Sequence, residues 1–256
     1  MPHAVARLRA QRLAASTKPF KARGGTLVRC AGCRLPASHC ICALRPTLHS
    51  RAGMCLLMGD IEALKPSNTG WLIADLVPDT WAFAWSRTQV DSALLALLAD
   101  PQWQPVVVFP GEFVPPERVI TALPAATLSD SAQAPARRPL FVLLDGTWSE
   151  ARKMFNKSPW LNALPVLSLQ PGQASQYRLR RSSRDDHFCT AEVAAFCLAL
   201  AGEVHAGQLL QAWFEVFSAH YLSARQNRAV VRDSAVHARL AELASPRACN
   251  RAMDQS

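Results

Sequence analysis

The chain has 256 residues, half of them hydrophobic, and a mean hydropathy of +0.03. This length holds one large domain, or one domain with a small appendage, and the composition excludes global disorder. The longest uncharged apolar stretch, residues 193–202, is far shorter than the ~20 residues that a membrane span requires. Because the sequence also shows no secretory signal, we expect a cytoplasmic protein that has no membrane partner.

The formal net charge of +9 is concentrated at the start of the chain. Residues 1–29 carry seven Lys and Arg and no Asp or Glu, which leaves a net charge of +2 for the remainder. A basic arm suits a polyanion such as RNA, because each phosphate contact releases a condensed counterion. A solvated tail without a partner and an organelle transit peptide are the alternatives. We predict a basic flexible tail over residues 1–29.

Four of the eight cysteines lie close together, and they are Cys30, Cys33, Cys40 and Cys42. The pattern C-x-x-C followed by C-x-C offers four thiolates, which is enough for a tetrahedral zinc site without an open position for water. We therefore predict a structural zinc knuckle with four cysteine ligands over residues 30–46. Redox cysteines, the absence of a metal, and His39 in place of one cysteine remain open. Arg29 and Arg34, beside the knuckle, are candidate RNA phosphate contacts.

Short apolar runs alternate with helical patterns in the rest of the chain. The predicted strands are 54–58, 81–85, 106–109, 140–144 and 166–169. The predicted helices are 71–76, 92–98, 148–155, 191–200 and 208–221. Strands with few polar positions, separated by helices, favour a mostly parallel sheet with helices on both faces. We predict one α/β domain over residues 47–245 and a C-terminal tail over 246–256.

The turn Asp145-Gly-Thr-Trp148 is the most informative local feature. An apolar strand ends at Asp145, and Thr147 and Glu150 match a capping box, which predicts a helix that starts at Thr147. Ligands of open parallel sheets bind at the carboxyl ends of the strands. We therefore expect the Asp145 carboxylate to lie open to a crevice as a proton acceptor. The alternative is an aspartate that only caps the helix.

This turn matches the D-x-T-W signature of the DTW-domain family, and the chain resembles that family from the knuckle to about residue 225. The other matching stretches are the four cysteines, Glu62 to Gly70, Phe109 to Glu112, Tyr177-Arg178 and Thr190 to Glu192. The resemblance implies a SPOUT-like fold, with a knot as an open alternative. It also implies a tRNA-uridine aminocarboxypropyltransferase that uses S-adenosylmethionine. The chain departs from the family at Gly59, where a His is expected.

We assign candidate roles on this basis. The candidate catalytic residues are Asp145, Thr147 and Trp148. The candidate S-adenosylmethionine contacts are Ser67, Asn68, Thr69, Gly70, Pro110, Gly111, Glu112 and Ser149, of which residues 67–70 are equally well explained as a helix cap. The candidate RNA contacts, besides the two arginines at the knuckle, are Tyr177, Arg178, Arg180 and Arg181.

Two other functions remain open. An S-adenosylmethionine-dependent RNA methyltransferase would use the same cosubstrate, because sequence cannot show which carbon of the sulfonium meets the nucleophile. A zinc-stabilised RNA-binding protein without catalysis would use the same knuckle and the same basic residues. A hydrolase is not indicated, since neither Gly-x-Ser-x-Gly nor His-Glu-x-x-His is present.

Overall fold

Six strands form one sheet in the computed structural model, which describes residues 1–17, 20, 27–123, 137–169 and 188–245. The strands are β1 (Gly53–Met58), β2 (Thr80–Ala84), β3 (Trp103–Val108), β4 (Val119–Ile120), β5 (Arg138–Asp145) and β6 (Val166–Leu167). The order across the sheet is β2-β1-β5-β3-β6-β4, and every pair is parallel. The predicted parallel α/β architecture is confirmed, and β4 is an addition to it.

Seven α-helices lie in the same described ranges. They are α1 (Ala4–Ala14), α2 (Gly70–Leu76), α3 (Ser92–Ala99), α4 (Trp148–Asn156), α5 (Thr190–Leu200), α6 (Val204–Arg225) and α7 (Ala235–Leu243). The five predicted helices are confirmed as α2 to α6, and α6 extends beyond its predicted bounds at both ends. Helices α1 and α7 were not predicted. No helix in the described part of the chain is long and apolar enough to cross a membrane.

Successive residues of the central strands enter two different cores, one on each face of the sheet. Met54 and Leu56 of β1 pack in the core that also holds residues of α1, α2, α5 and α6. Cys55 and Leu57 pack in the other core, together with residues of α3 and α4. Since both faces are covered, β1 is buried along its whole length. This arrangement explains why the strands read as continuous apolar runs rather than as alternating patterns.

Strand β5 is inserted between the first and third strands, which places its end between two loops. Its residues pair in parallel with β1 on one side and with β3 on the other. The chain after β1 leads toward β2, whereas β3 lies toward β6 and β4. Such a change of direction opens a crevice at the carboxyl ends of the strands. Asp145, the last residue of β5, therefore lies between the segments that follow β1 and β3.

The knot that the family resemblance left as an open alternative stays a prediction.

Helix α1 corrects the expectation of a flexible tail over residues 1–29. Val5 is fully buried, and Ala4 and Leu8 are buried with it against β2, α2 and residues 62–64. His3 caps the helix by accepting a hydrogen bond from the Ala6 N–H at 3.2 Å. The basic composition concealed this apolar stripe at helical spacing. Residues 18, 19, 21–26 and 246–256, which complete the two predicted tails, lie outside the described residues.

We expect Leu8→Ala to lower the free energy of unfolding by about 2 kcal/mol, because it leaves a cavity where α1 meets the body. The matched control is Leu13→Ala on the same helix, whose side chain is 38% exposed and whose loss should change stability by less than about 0.5 kcal/mol. Urea unfolding of both variants tests the docking. Equal effects of the two substitutions would contradict it.

A candidate active site at the carboxyl edge of the sheet

The turn after β5 has the predicted geometry. Thr147 is the N-cap of α4, and its hydroxyl accepts a hydrogen bond from the Glu150 N–H at 3.3 Å. The Glu150 carboxylate in turn accepts from the Thr147 N–H at 2.8 Å and from its hydroxyl at 2.6 Å. The capping box is therefore confirmed, and it leaves the side chains of Trp148 and Ser149 exposed on the first turn of the helix.

The Asp145 carboxylate joins three segments that are far apart in the chain. One oxygen, Oδ2, accepts a hydrogen bond from Asn68 Nδ2 at 2.7 Å, just before α2. The other, Oδ1, accepts from the Thr190 hydroxyl at 2.6 Å, at the start of α5. Asp145 is only 4% exposed. The structure thus places this side chain in the interior, with both oxygens hydrogen-bonded, and not open to a crevice as predicted.

Burial dominates the electrostatics of this carboxylate. It raises the pKa of Asp145, and the hydrogen bonds from Thr190 and Asn68, together with the charge of Lys65, act in the opposite direction. Burial likewise raises the pKa of Glu62, against which Lys65 acts as a direct ion-pair partner. A buried carboxylate requires such donors, because removing it from water otherwise favours the neutral acid.

The segment 67–70 divides into an internal and an external part. Asn68 is buried, and its Oδ1 accepts from the Trp71 N–H at 3.0 Å, so Asn68 rather than Thr69 supplies the side-chain cap of α2. This finding supports the cap interpretation for Asn68 over direct cosubstrate contact. Thr69 is half-buried and bonds to the Cys189 side chain, whereas Ser67 is exposed.

Gly70 is required by close packing against Asp145. A Cβ at this position would lie 2.6 Å from Asp145 Oδ2, a distance that forces a displacement. Gly59, where the family resemblance predicts a His, differs in this respect. A Cβ there would lie no closer than 3.4 Å to any neighbour, the nearest being Glu62 and Met154. The Gly59 N–H donates to the Asp145 carbonyl oxygen at 2.9 Å, so this glycine lines the same turn.

Aromatic rings form an exposed wall beside the turn. Phe109, which follows β3, stacks between Phe155 at 4.3 Å and Trp148 at 5.5 Å between ring centroids. Phe113 packs against Trp148 at 5.4 Å and carries the Arg152 guanidinium over its ring. Trp148 is 38% and Phe113 39% exposed. The aromatic wall thus presents indole and phenyl surface to solvent. None of these three phenylalanines was predicted as a site residue.

Residues 110–112, predicted as a second cosubstrate wall, belong to the loop between Phe109 and Phe113. The Gly111 N–H donates to the Ser168 hydroxyl at 3.0 Å, which fixes the loop against the residue after β6. Pro110 and Glu112 are exposed. The structure therefore brings this loop next to the aromatic wall, on the side of β5 opposite to the segment 67–70.

The four knuckle cysteines have the geometry of a metal site. Their Sγ atoms all lie within 4.8 Å of one another. Cys30 Sγ lies 3.6 Å from Cys42 Sγ, and Cys33 Sγ lies 3.8 Å from Cys40 Sγ. Tetrahedral zinc with Zn–S bonds of about 2.3 Å places sulfurs about 3.8 Å apart. The donor set fits zinc. Hydrogen bonding from the backbone, first from Cys33, lowers the pKa of the Cys30 thiol to about 6, whereas burial raises the pKa of the Cys33 and Cys42 thiols.

Two residues beside the cysteines have roles other than those considered from sequence. His39 is not directed at the cluster, because its Nδ1 bonds to Ser38 and its Nε2 to the Arg228 carbonyl at 2.9 Å. Arg34 is buried, and it donates to the carbonyl oxygens of Ala63 and Leu64. An exposed phosphate contact is therefore the wrong description of Arg34, which joins the knuckle to the segment before α2.

Trp71 adds a second link between the knuckle and α2. Its Nε1 donates to the Gly32 carbonyl at 2.8 Å, and the Arg34 guanidinium lies 4.7 Å from its ring centroid. The knuckle is thus packed on the helix that Asn68 caps. Arg29, the other predicted phosphate contact here, donates to the Arg34 carbonyl at 3.2 Å.

Comparison with known families agrees with this arrangement. The DTW domain family matches residues 27–222, which is more than half of the chain. The chain belongs to the DTW domain family. No solved structure matches it. The matched range includes the knuckle, the Asp145 turn and the first residues of α5, and it excludes α1. Tyr177, Arg178, Arg180 and Arg181 of this DTW protein fall within the match but outside the described residues.

Besides the phenylalanines, Thr190 and Lys65 are residues of the site to which sequence reasoning assigned no role. Both residues lie in stretches that resemble the family, so the sequence did indicate that these stretches matter. The resemblance did not show which of their residues faces Asp145, because that pairing depends on how α2 and α5 converge on β5.

We expect Gly70→Ala to lower the free energy of unfolding by about 1–3 kcal/mol, because the methyl group overlaps Asp145 Oδ2. Helix propensity alone would favour alanine by about 1 kcal/mol, so the sign of the effect is informative. Gly59→Ala is the matched control and should stay within about 0.5 kcal/mol of wild type. Thermal and urea unfolding measure both. A stabilised Gly70→Ala would show that the carboxylate is not packed there.

We expect the purified DTW protein to contain one zinc ion per chain and Cys40→Ser to lose it, because three sulfurs leave the tetrahedral site open. His39→Ala should keep the metal, since its ring faces Arg228 and not the cluster. Elemental analysis of the three proteins gives the stoichiometry, and chelation should lower the melting temperature of wild type. Loss of zinc from His39→Ala would show that His39 is a zinc ligand.

Proposed function

We propose that this chain is a tRNA-uridine aminocarboxypropyltransferase, the activity that its resemblance to the DTW family implies. The carrying observation is that three separate family motifs meet on the Asp145 carboxylate at the carboxyl edge of the sheet. In the reaction, N3 of a uridine forms a bond to the terminal CH2 of the aminocarboxypropyl arm. The C–S bond breaks, its electron pair stays on sulfur, and methylthioadenosine leaves.

Residues with exposed surface around the turn are the candidates to hold S-adenosylmethionine. Trp148 and Phe113 offer aromatic faces, and a sulfonium cation is attracted to the negative face of an aromatic ring. Glu112 and Ser67 offer a carboxylate and a hydroxyl, which suit the amine and the carboxylate of the methionyl part. Thr147 and Ser149 lie between them at the start of α4, where a helix N-terminus favours anionic groups.

Asp145 takes a positioning role in this proposal. A proton acceptor must reach the proton that it removes, and Asp145 is buried with both oxygens occupied. Its carboxylate instead fixes Asn68 at the start of α2 and Thr190 at the start of α5. Since methylthioadenosine is already a good leaving group, alignment of the two reactants is the main demand on the enzyme, and the imide proton passes to solvent.

We expect Asp145→Asn and Asn68→Ala each to weaken S-adenosylmethionine binding roughly 10- to 100-fold, because each breaks a hydrogen bond to a buried charge. Ser158→Ala is the control, since Ser158 is buried but donates no bond to this network and accepts from Trp85. Calorimetry measures the affinity. Incubation with unmodified tRNA, followed by digestion and mass analysis of the nucleosides, measures turnover.

The products separate the competing functions. Methylthioadenosine together with 3-(3-amino-3-carboxypropyl)uridine supports the proposal, whereas S-adenosylhomocysteine indicates a methyltransferase. Absence of S-adenosylmethionine binding by wild type would favour a zinc-stabilised RNA-binding protein. If Asp145→Asn binds the cosubstrate like wild type and yet forms no product, Asp145 is the proton acceptor and not a positioning residue.

A further inference from the structure

Six arginines lie along helix α1 and in the cysteine knuckle. They are Arg7, Arg9 and Arg12 of α1, Arg29 and Arg34 at the start of the knuckle, and Arg45 at its end. Arg34 is buried and adds its charge without an exposed contact, and it lies within electrostatic range of Arg9 and Arg29. The N-cap histidine of α1 lies within range of Arg7, Arg34 and Arg45. We call the surface formed by α1 and the knuckle the arginine face.

Two of these arginines are neutralised by carboxylates. Arg12 forms an ion pair with Asp60, and Arg45 lies 2.8 Å from Asp75. Residues 1–59, which include both segments of this surface, contain no Asp or Glu, so these segments themselves carry an excess of positive charge.

The remaining contacts of the arginine face are mostly to neutral oxygens. Arg7 donates to the Pro2 carbonyl at 2.7 Å, and Arg34 donates to backbone carbonyls as described above. Carbonyl oxygens satisfy N–H groups but do not cancel a charge. Arg9 Nε is buried and has no hydrogen-bond partner in the described part of the chain. Because this atom is buried, what half-buried Arg9 offers to an anion is the positive charge of its guanidinium and not this donor.

The pKa of His3 is lowered in part by the charges of the same arginines. Burial, followed by the charges of Arg45, Arg7 and Arg34, lowers the pKa of His3 to about 4. The imidazole is therefore neutral at pH 7 and adds no charge of its own. Its position at the start of α1 shows that the field extends to the end of the helix nearest Trp71, against which the ring packs at 4.4 Å.

The other end of α1 lies beside the candidate active site. The ion pair between Arg12 and Asp60 ties the last turn of the helix to the loop that follows β1. The preceding residue, Gly59, donates its N–H to the Asp145 carbonyl. The arginine face therefore runs from the knuckle to the carboxyl edge of the sheet, and it lies partly outside the matched family range, which begins at residue 27.

We propose that the arginine face binds the RNA phosphate backbone and leads the substrate to the carboxyl edge of the sheet. This inference rests on the proposed function for the identity of the substrate, but it concerns a surface that the family match includes only in part. RNA is the partner that the charges favour, because positive charges spread along α1 and the knuckle suit the repeated phosphates of one strand. The residues that dock α1 make the face a fixed surface and not a mobile arm.

The test compares binding of fluorescein-labelled unmodified tRNA to wild type, R7A/R9A and R51A across a salt series. Alanine preserves the helix, which circular dichroism checks. Arg51 is the control, because it is exposed and precedes β1 at the opposite edge of the sheet. We expect R7A/R9A to raise Kd roughly 10-fold and to reduce the slope of log Kd against log salt by about 1 to 2. R51A should match wild type.

Calorimetry with S-adenosylmethionine separates this inference from the proposed function. Wild-type cosubstrate affinity in R7A/R9A, together with weaker tRNA binding, supports the arginine face even if no modified uridine forms. Unchanged tRNA affinity and slope in R7A/R9A would overturn the proposal, and so would an equal loss in R51A. Displacement of the tRNA by polyglutamate at the same charge concentration would indicate a general anion surface and would also overturn it.

Discussion

The rest of the site depends on a buried carboxylate at the end of the central strand. Asp145 cannot lie in the interior as an anion unless donors replace the water that it loses. Those donors, Asn68 and Thr190, come from the starts of two helices that are remote in sequence. Burial of one charge therefore makes the assembly of β5, α2 and α5 interdependent, and Gly70 is the residue that lets α2 approach closely enough.

A line of direct contacts connects the cysteine knuckle to this carboxylate. Gly32 accepts a hydrogen bond from Trp71, Trp71 lies in the helix that Asn68 caps, and Asn68 donates to Asp145. Arg34 strengthens the same connection through the carbonyls before α2. Four thiolates that hold one metal would fix the backbone of the knuckle, and the knuckle and the Asp145 network both contact the short helix α2. The knuckle is part of the support of the site and not a separate module.

Sequence predicted the elements well where a local signal existed. The apolar strands, the capping box at Thr147 and the four-cysteine cluster follow from spacing alone, and the structure confirms them. Helix α1 was missed because seven basic residues dominated the composition of a segment whose apolar stripe is only Ala4, Val5 and Leu8. The prediction that the Asp145 carboxylate lies open to a crevice was wrong. Its burial depends on α2 and α5 meeting over β5, and no pattern within one segment encodes that meeting.

Burial also decides between two roles for Asp145. Desolvation raises the pKa of this carboxyl, which by itself would make it a better base. The same desolvation arises because Asn68 and Thr190 cover the side chain, so the group that gains basicity loses access to a substrate proton. A base needs both a raised pKa and access to the substrate proton. A positioning residue needs no such access, because a fixed, well-bonded carboxylate holds its partners in place. For the proposed activity, the geometry thus favours alignment of a sulfonium with its acceptor over activation of the acceptor by proton removal.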